Sequence, residues 1–236
     1  MIQAFDFFER LSANNNRPWF QEHKPEYDAI RAEWIEGMER LIPIVAAEWP
    51  RIRTVDARRA TYRIYRDTRF SLDKTPYKTH IGTSLDPPEL RGRHCGLYIE
   101  AGLSDGMTGV WGGIWCPASP DLRKLRQAIA DNDDEFLAIV NDPALTDVYG
   151  THMWGDTLKT APKGFPKDHP MIQYLRLKEL GKYCPVPRSL FASPPRPEPR
   201  PPRLPPPLPP PPPLPSPPPD AQPPPAEFIA SSLLED

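Results

Sequence analysis

Cysteine is scarce in this 236-residue chain. Cys95, Cys116 and Cys184 are an odd number without C-x-x-C spacing, which argues against a disulfide framework and for reduced thiols in packing positions. Long apolar runs are missing too. The opening segment MIQAFDFFERLSANNNR mixes acidic with apolar residues and has no basic lead, so neither a signal peptide nor a membrane span is expected, and a cytoplasmic location follows by default. Histidines 23, 80, 94, 152 and 169 show no metal-ligand spacing, and adjacent His94 and Cys95 would point to opposite faces of a strand, so no metal site is expected. P-loop, G-x-S-x-G and dinucleotide fingerprints are absent, and no cofactor is expected. An excess of one charge is lacking as well: the net charge of −2 removes a chain-wide pull toward nucleic acid, which is disfavoured as a partner.

Proline, in contrast, is abundant and lopsided. Of 36 prolines, 21 lie between Pro194 and Pro225, in runs that cannot build a core. The expected organisation is a single domain over 1–187 and a proline-rich, disordered tail over 188–236.

Within the first part, Phe5, Phe8 and Leu11 mark a short helix, and NNNRP a break that caps the next one. From Pro25, the residues Tyr27, Ile30, Trp34, Met38, Leu41, Ile42 and Val45 recur at helical steps, with Pro43 expected to kink or end the regular part. Beyond Arg53 the period becomes two in TYRIYRDTRF, YKTHIGTSL, HCGLYIEA and MTGVWGGIWC, which predicts four strands in an antiparallel meander. Helices return at SPDLRKLRQAIADN, with Ser119 as N-cap, at DDEFLAIVNDP, and near Met171 to Leu180. The predicted class is α+β: an antiparallel β-meander of about four or more strands, with N-terminal and C-terminal helices packed on one face.

Alternation assigns the other face. It should collect Arg63, Tyr65, Asp67 and Arg69 from the first strand, Lys78, His80, Gly82 and Ser84 from the second, His94, Gly96, Tyr98 and Glu100 from the third, and Gly109, Trp111, Gly113 and Trp115 from the fourth. With SLDKTP as the turn and Phe70 opposite Tyr77, Asp67 faces His80 and Arg69 faces Lys78; Arg66 falls inward, where it needs a carboxylate. Glycines on this face leave room for close approach, so it reads as the floor of a polar, aromatic-lined cleft.

From Arg58 to His80, seven Arg and Lys meet two Asp, an excess of five positive charges. Arg63, Arg66, Arg69, Lys74 and Lys78 suit a small phosphate- or carboxylate-bearing ligand, with Tyr98 or Trp111 stacking on a ring. Asp67 beside His80 would make a general acid/base pair. The competing reading is an ion-pair network that only fixes a hairpin. A nucleic-acid platform and a non-catalytic protein-interaction module are the remaining alternatives.

NNNRPWFQEHKPEY, RIYRDTRFSLDKTPYKTH, GLYIE, GGIW and APKGFPKDHP occur in an order that resembles the uncharacterised bacterial and fungal proteins of the domain-of-unknown-function 2461 family. The resemblance spans roughly residues 4 to 184 and implies one intact domain. It also implies that Arg63, Arg66, Asp67, Arg69, Phe70, Asp73, Lys74, Pro76, Tyr77 and Lys78 matter, without giving any of them a role. Family members look as though they continue with a further amphipathic helix, where this chain turns into SPPRPEPRPPRLPPP. A shifted reading frame would produce such a tail. A genuine polyproline II segment, docking on aromatic grooves of polyproline-binding partners, is the alternative.

Overall fold

The computed structural model describes residues 2–90, 95–103 and 108–191; His94 and most of the proline-rich segment lie outside them. Helix α1, Ile2–Ala13, turns Phe5, Phe7, Phe8 and Leu11 into the core. Asn16 then caps α2, Arg17–Glu48, by accepting from the Trp19 N–H. This is the start that the NNNRP break predicted, with the helix already running when the apolar pattern begins at Pro25. Pro18 sits in its first turn, where no intrahelical N–H is needed, and the helix continues past Pro43 to Glu48. Its buried stripe is Phe20, Tyr27, Ile30, Trp34, Ile35, Met38, Ile42, Val45 and Ala46, the three- and four-residue spacing of one helix face.

The sheet has four antiparallel strands in the order β1, β2, β3, β4: His80–Leu85, Cys95–Gly102, Gly109–Ile114 and Leu180–Pro185. Three of the predicted strands are there. The first, TYRIYRDTRF, is not a strand. After α3, Ala57–Ala60, it touches its neighbours only at the isolated bridges Thr61 to Thr83 and Tyr65 to Tyr77. The expected Phe70 to Tyr77 register therefore does not form, and Phe70 is 94% exposed instead of anchoring the hairpin. Alternation also breaks inside the segment: Ile64 is buried while Tyr62 is 39% exposed. The fourth strand comes from the segment expected to end as a helix; α7 is only Ile172–Leu175, and the chain then extends into β4.

One sheet face is apolar. Ile81 and Leu85 of β1, Leu97, Ile99 and Ala101 of β2, and Val110 of β3 form one core cluster with α1 and α2. Helices α4, Ser119–Asp131, and α5, Asp133–Val140, join α7 around Ile129, Met171, Leu175 and Leu180, with Ile114 at the margin. The N-cap of α4 is Ala118, not Ser119, which falls one place inside; no side chain caps this end. The sixth helix, α6, Pro143–Tyr149, is capped by Asp142. Among the described residues, no helix is long and apolar enough to cross a membrane.

Two side-chain clamps hold the entry to β1. The Asn15 amide donates to the Tyr77 carbonyl at 2.9 Å and its oxygen accepts from the Tyr77 N–H at 3.1 Å, as a neighbouring strand would. Phe20 stacks on the Tyr77 ring at 4.1 Å. The residues just before β1 are thus fixed even though no strand pairs with them, and Lys78 and His80 inherit that rigidity.

Candidate functional site

Opposite the helices, the sheet carries a cavity of about 530 Å³ that runs from β1 to β4. Tyr62, Lys78, His80, Ser84 and Asp86 line the β1 side; Tyr98, Glu100 and Trp111 rise from the middle strands; Trp115, Cys116, Trp154, Glu179 and Gly181 line the β4 side. Period-two parity explains the floor: His80 pairs with Gly102 and Ser84 with Tyr98, while Tyr98 lies opposite Trp111 and Trp111 opposite Tyr183. The expected grouping of Lys78, His80, Tyr98, Glu100, Trp111 and Trp115 on one face is therefore what the structure shows.

The glycines on this face are used differently from the expectation. A Cβ on Gly82 would run into the Tyr98 phenol, and one on Gly109 into the Tyr183 ring and the Cys184 carbonyl. The open space is occupied by tyrosine rings lying across neighbouring strands, so these glycines seat the aromatic wall instead of a ligand.

Glu100 is the electrostatic centre. Only 2% exposed, it accepts a hydrogen bond from the Tyr98 hydroxyl at 2.7 Å through Oε2, while Oε1 is buried without a hydrogen-bond partner. Burial pushes its pKa up to about 7, opposed by the Tyr98 bond and the Lys78 charge. His80 Nε2 lies 3.7 Å from Glu100 Oε2. Burial, with Lys78 and Arg66 nearby, takes the His80 pKa down to about 4. Both environments favour the uncharged forms, so between those values the carboxyl holds a proton and the imidazole does not. Lys78 sits with its ammonium 5.1 Å from the centre of the Tyr62 ring, and burial, with Arg63 adding to it, lowers its pKa.

The rest of the predicted basic cluster lies elsewhere. Asp67 is not the carboxylate beside His80: it takes the Arg69 guanidinium at 2.6 Å, an exposed pair that holds Asp67 down to about 2, and Glu100 stands at His80 instead. Arg66 donates to Asp73 and Thr75 and so closes the loop; it has the carboxylate partner expected of it, but in a loop and not on the inner face of a strand. Lys74 donates to the Thr68 carbonyl at 2.8 Å. Arg63, Arg66, Arg69 and Lys74 are not part of the cavity wall, although Arg63 and Arg66 act electrostatically on Lys78 and His80.

Sequence reasoning missed the β4 side. Trp154 had no periodic signal around it, Glu179 stood in the segment read as helix, and Gly181 lay just beyond it. Trp154 is 45% and Trp115 59% exposed, a large exposed aromatic surface beside the buried Glu179. Burial, then Asp156, raises the Glu179 pKa, and burial, then Glu179 and Asp156, raises that of the Cys116 thiol. Cys116 has φ 44, a left-handed turn that swings the chain away at the end of β3. No group of three or more His, Cys, Asp or Glu among the described residues could hold a metal ion.

The family described as conserved hypothetical protein (DUF2461) matches residues 3–198, and the chain belongs to it. No curated protein and no solved structure matches the chain.

Proposed function

We propose that this DUF2461 protein binds a small organic ligand with an acidic group, phosphate or carboxylate, in the cavity on the open sheet face. The observation that carries the reading is the placement of Lys78: it is the one Lys or Arg side chain among the described residues lining the cavity, half-buried at its β1 end, with Arg63 and Arg66 strengthening the positive potential there. An ammonium partly removed from water gains more from an incoming anion than an exposed one would. Tyr62, Tyr98 and Trp111 supply the aromatic surface against which the ligand body packs.

A cavity wall with Lys78 as its one Lys or Arg among the described residues favours a small molecule over a nucleic-acid strand, which needs an extended basic track. If the protein is an enzyme, the acid/base pair is Glu100 with His80, since they share the cavity and their environments separate their proton affinities in the reverse of the usual order.

The test is a thermal-shift and tryptophan-fluorescence titration of the full chain with phosphomonoesters and aromatic carboxylates, beside Lys78→Met. Binding that disappears in Lys78→Met is the expected result. Equal binding by both proteins, or none by either, overturns the assignment.

A further inference from the structure

The two ends of the cavity are chemically opposite. At the β1 end stands Lys78. At the β4 end stand Trp115, Trp154 and Glu179, and neighbouring Lys178 is turned to Asp156 at 3.3 Å. Exposed indole faces beside a carboxylate are the surface that alkylated ammonium groups select, because the ring quadrupole and the carboxylate attract the same charge while the ring surface takes the methyl groups. Burial is the larger cause of the shift at both ends, and the charges add to it with opposite sources: cations at His80, carboxylates at Cys116.

The sheet sets the separation. Three inter-strand steps of about 4.8 Å separate β1 from β4 by roughly 14 Å. The register adds an offset along the strands: Lys78 precedes His80, which pairs with Gly102, whereas Glu179 precedes Leu180, which pairs with Ile114 and through it with Cys95 at the other end of β2. The poles thus stand diagonally across the sheet, with Trp111 and the glycine backbone of β3 as an uncharged floor between them.

We propose that the cavity takes an elongated zwitterion, its anionic group at Lys78 and its cationic, alkylated ammonium group among Trp115, Trp154 and Glu179. This rests on the reading of Lys78 as the anion contact and adds the second pole. Glu179 disfavours a second anion at the far end, so a ligand with one charge of each sign satisfies both poles.

The probes are ω-trimethylammonio carboxylates with two to sixteen methylenes, alongside alkanoates and alkyltrimethylammonium salts of the same lengths, titrated by tryptophan fluorescence. The expected result is tightest binding for the longer zwitterions, whose charges lie more than about 14 Å apart, with each singly charged analogue at least about tenfold weaker. Lys78→Met should reduce the zwitterion to the affinity of the alkyltrimethylammonium salt, and Glu179→Gln to that of the alkanoate. Because Glu179 is buried, Trp115→Leu, at an exposed position, is the second variant and should weaken only the cationic probes. Alkanoates that bind as tightly as the zwitterions, in a Lys78-dependent way, would overturn the bipolar proposal and leave the anion site standing. Ammonium salts that match the zwitterions, with no effect of Lys78→Met, would overturn both, as would no binding by any probe.

Discussion

The indole Nε1 of Trp34 donates to the Thr83 hydroxyl at 2.7 Å, and that hydroxyl also lies 2.8 Å from Thr61 Oγ1, which reaches the Ala57 carbonyl at 2.8 Å. Thr83 is fully buried at the centre of β1. A chain of buried hydrogen bonds thus ties α2 and α3 to the strand whose other face begins the cavity. Thr83→Val keeps the shape and removes the hydroxyl, so it strips Trp34 of this acceptor and breaks the link to Thr61. The expected cost is about 1–3 kcal/mol in urea unfolding, with Thr83→Ser retaining most of the stability.

Glu100 sets a pH dependence with a definite sign. Its folded pKa of about 7 lies above the ordinary 4.5, so the folded state holds the extra proton. Its favourable contribution is complete below the unfolded value and is lost as pH rises through 7. The groups facing it are Tyr98 on its own strand, His80 on β1, Lys78 just before β1, and Tyr183 on β4. Glu100→Gln removes the titration but keeps an oxygen for Tyr98. Relative to this variant, the native protein should lose on the order of 3 kcal/mol between pH 5 and pH 9. Parallel melting curves for the two proteins would refute the assignment.

Gly82→Ala should disturb Glu100 without touching it. The new methyl meets the Tyr98 phenol, whose displacement breaks the bond to Glu100. A loss of about 1–3 kcal/mol is expected. In Tyr98→Ala the same substitution should cost far less, a non-additivity that a double-mutant cycle measures.

Arg66 holds the loop that carries Phe70 and Leu72, both fully or nearly fully exposed. Arg66→Ala should speed chymotrypsin cleavage at Phe70 severalfold while global stability changes little, because the partner Asp73 lies in water. Arg66→Lys should behave like Arg66→Ala, since one ammonium cannot reach Asp73, the Thr75 carbonyl and the Thr75 hydroxyl together as the guanidinium fork does.

The floor of the cavity was legible because a strand with one buried face must alternate. Ile81 and Leu85 go in, His80 and Ser84 come out, and the same rule places Tyr98, Glu100 and Trp111. Alternation misled at Tyr62 to Phe70, where the pattern is real but the backbone bends at Ile64 and Arg66 spends its donors closing its own loop. It was silent at β4: Lys182 is fully buried and bonded to the Gly150 carbonyl at 2.7 Å, so a charged residue occupies an inward position and hides the period. Asp67 was chosen for His80 from a register that a bend abolished, whereas Glu100 needed only the pairing of His80 with Gly102 two places on.

Because Ile114 pairs with Leu180, the strand that completes the cavity leaves the ribosome long after the three it joins. Until then β3 is an open edge, and neither Trp154 nor Glu179 stands beside Trp115. Closing so long an intervening segment is an entropic cost met late, so the nascent chain exposes a strand edge able to recruit another extended segment. Completion of the cavity and protection of that edge are gained in the same folding step.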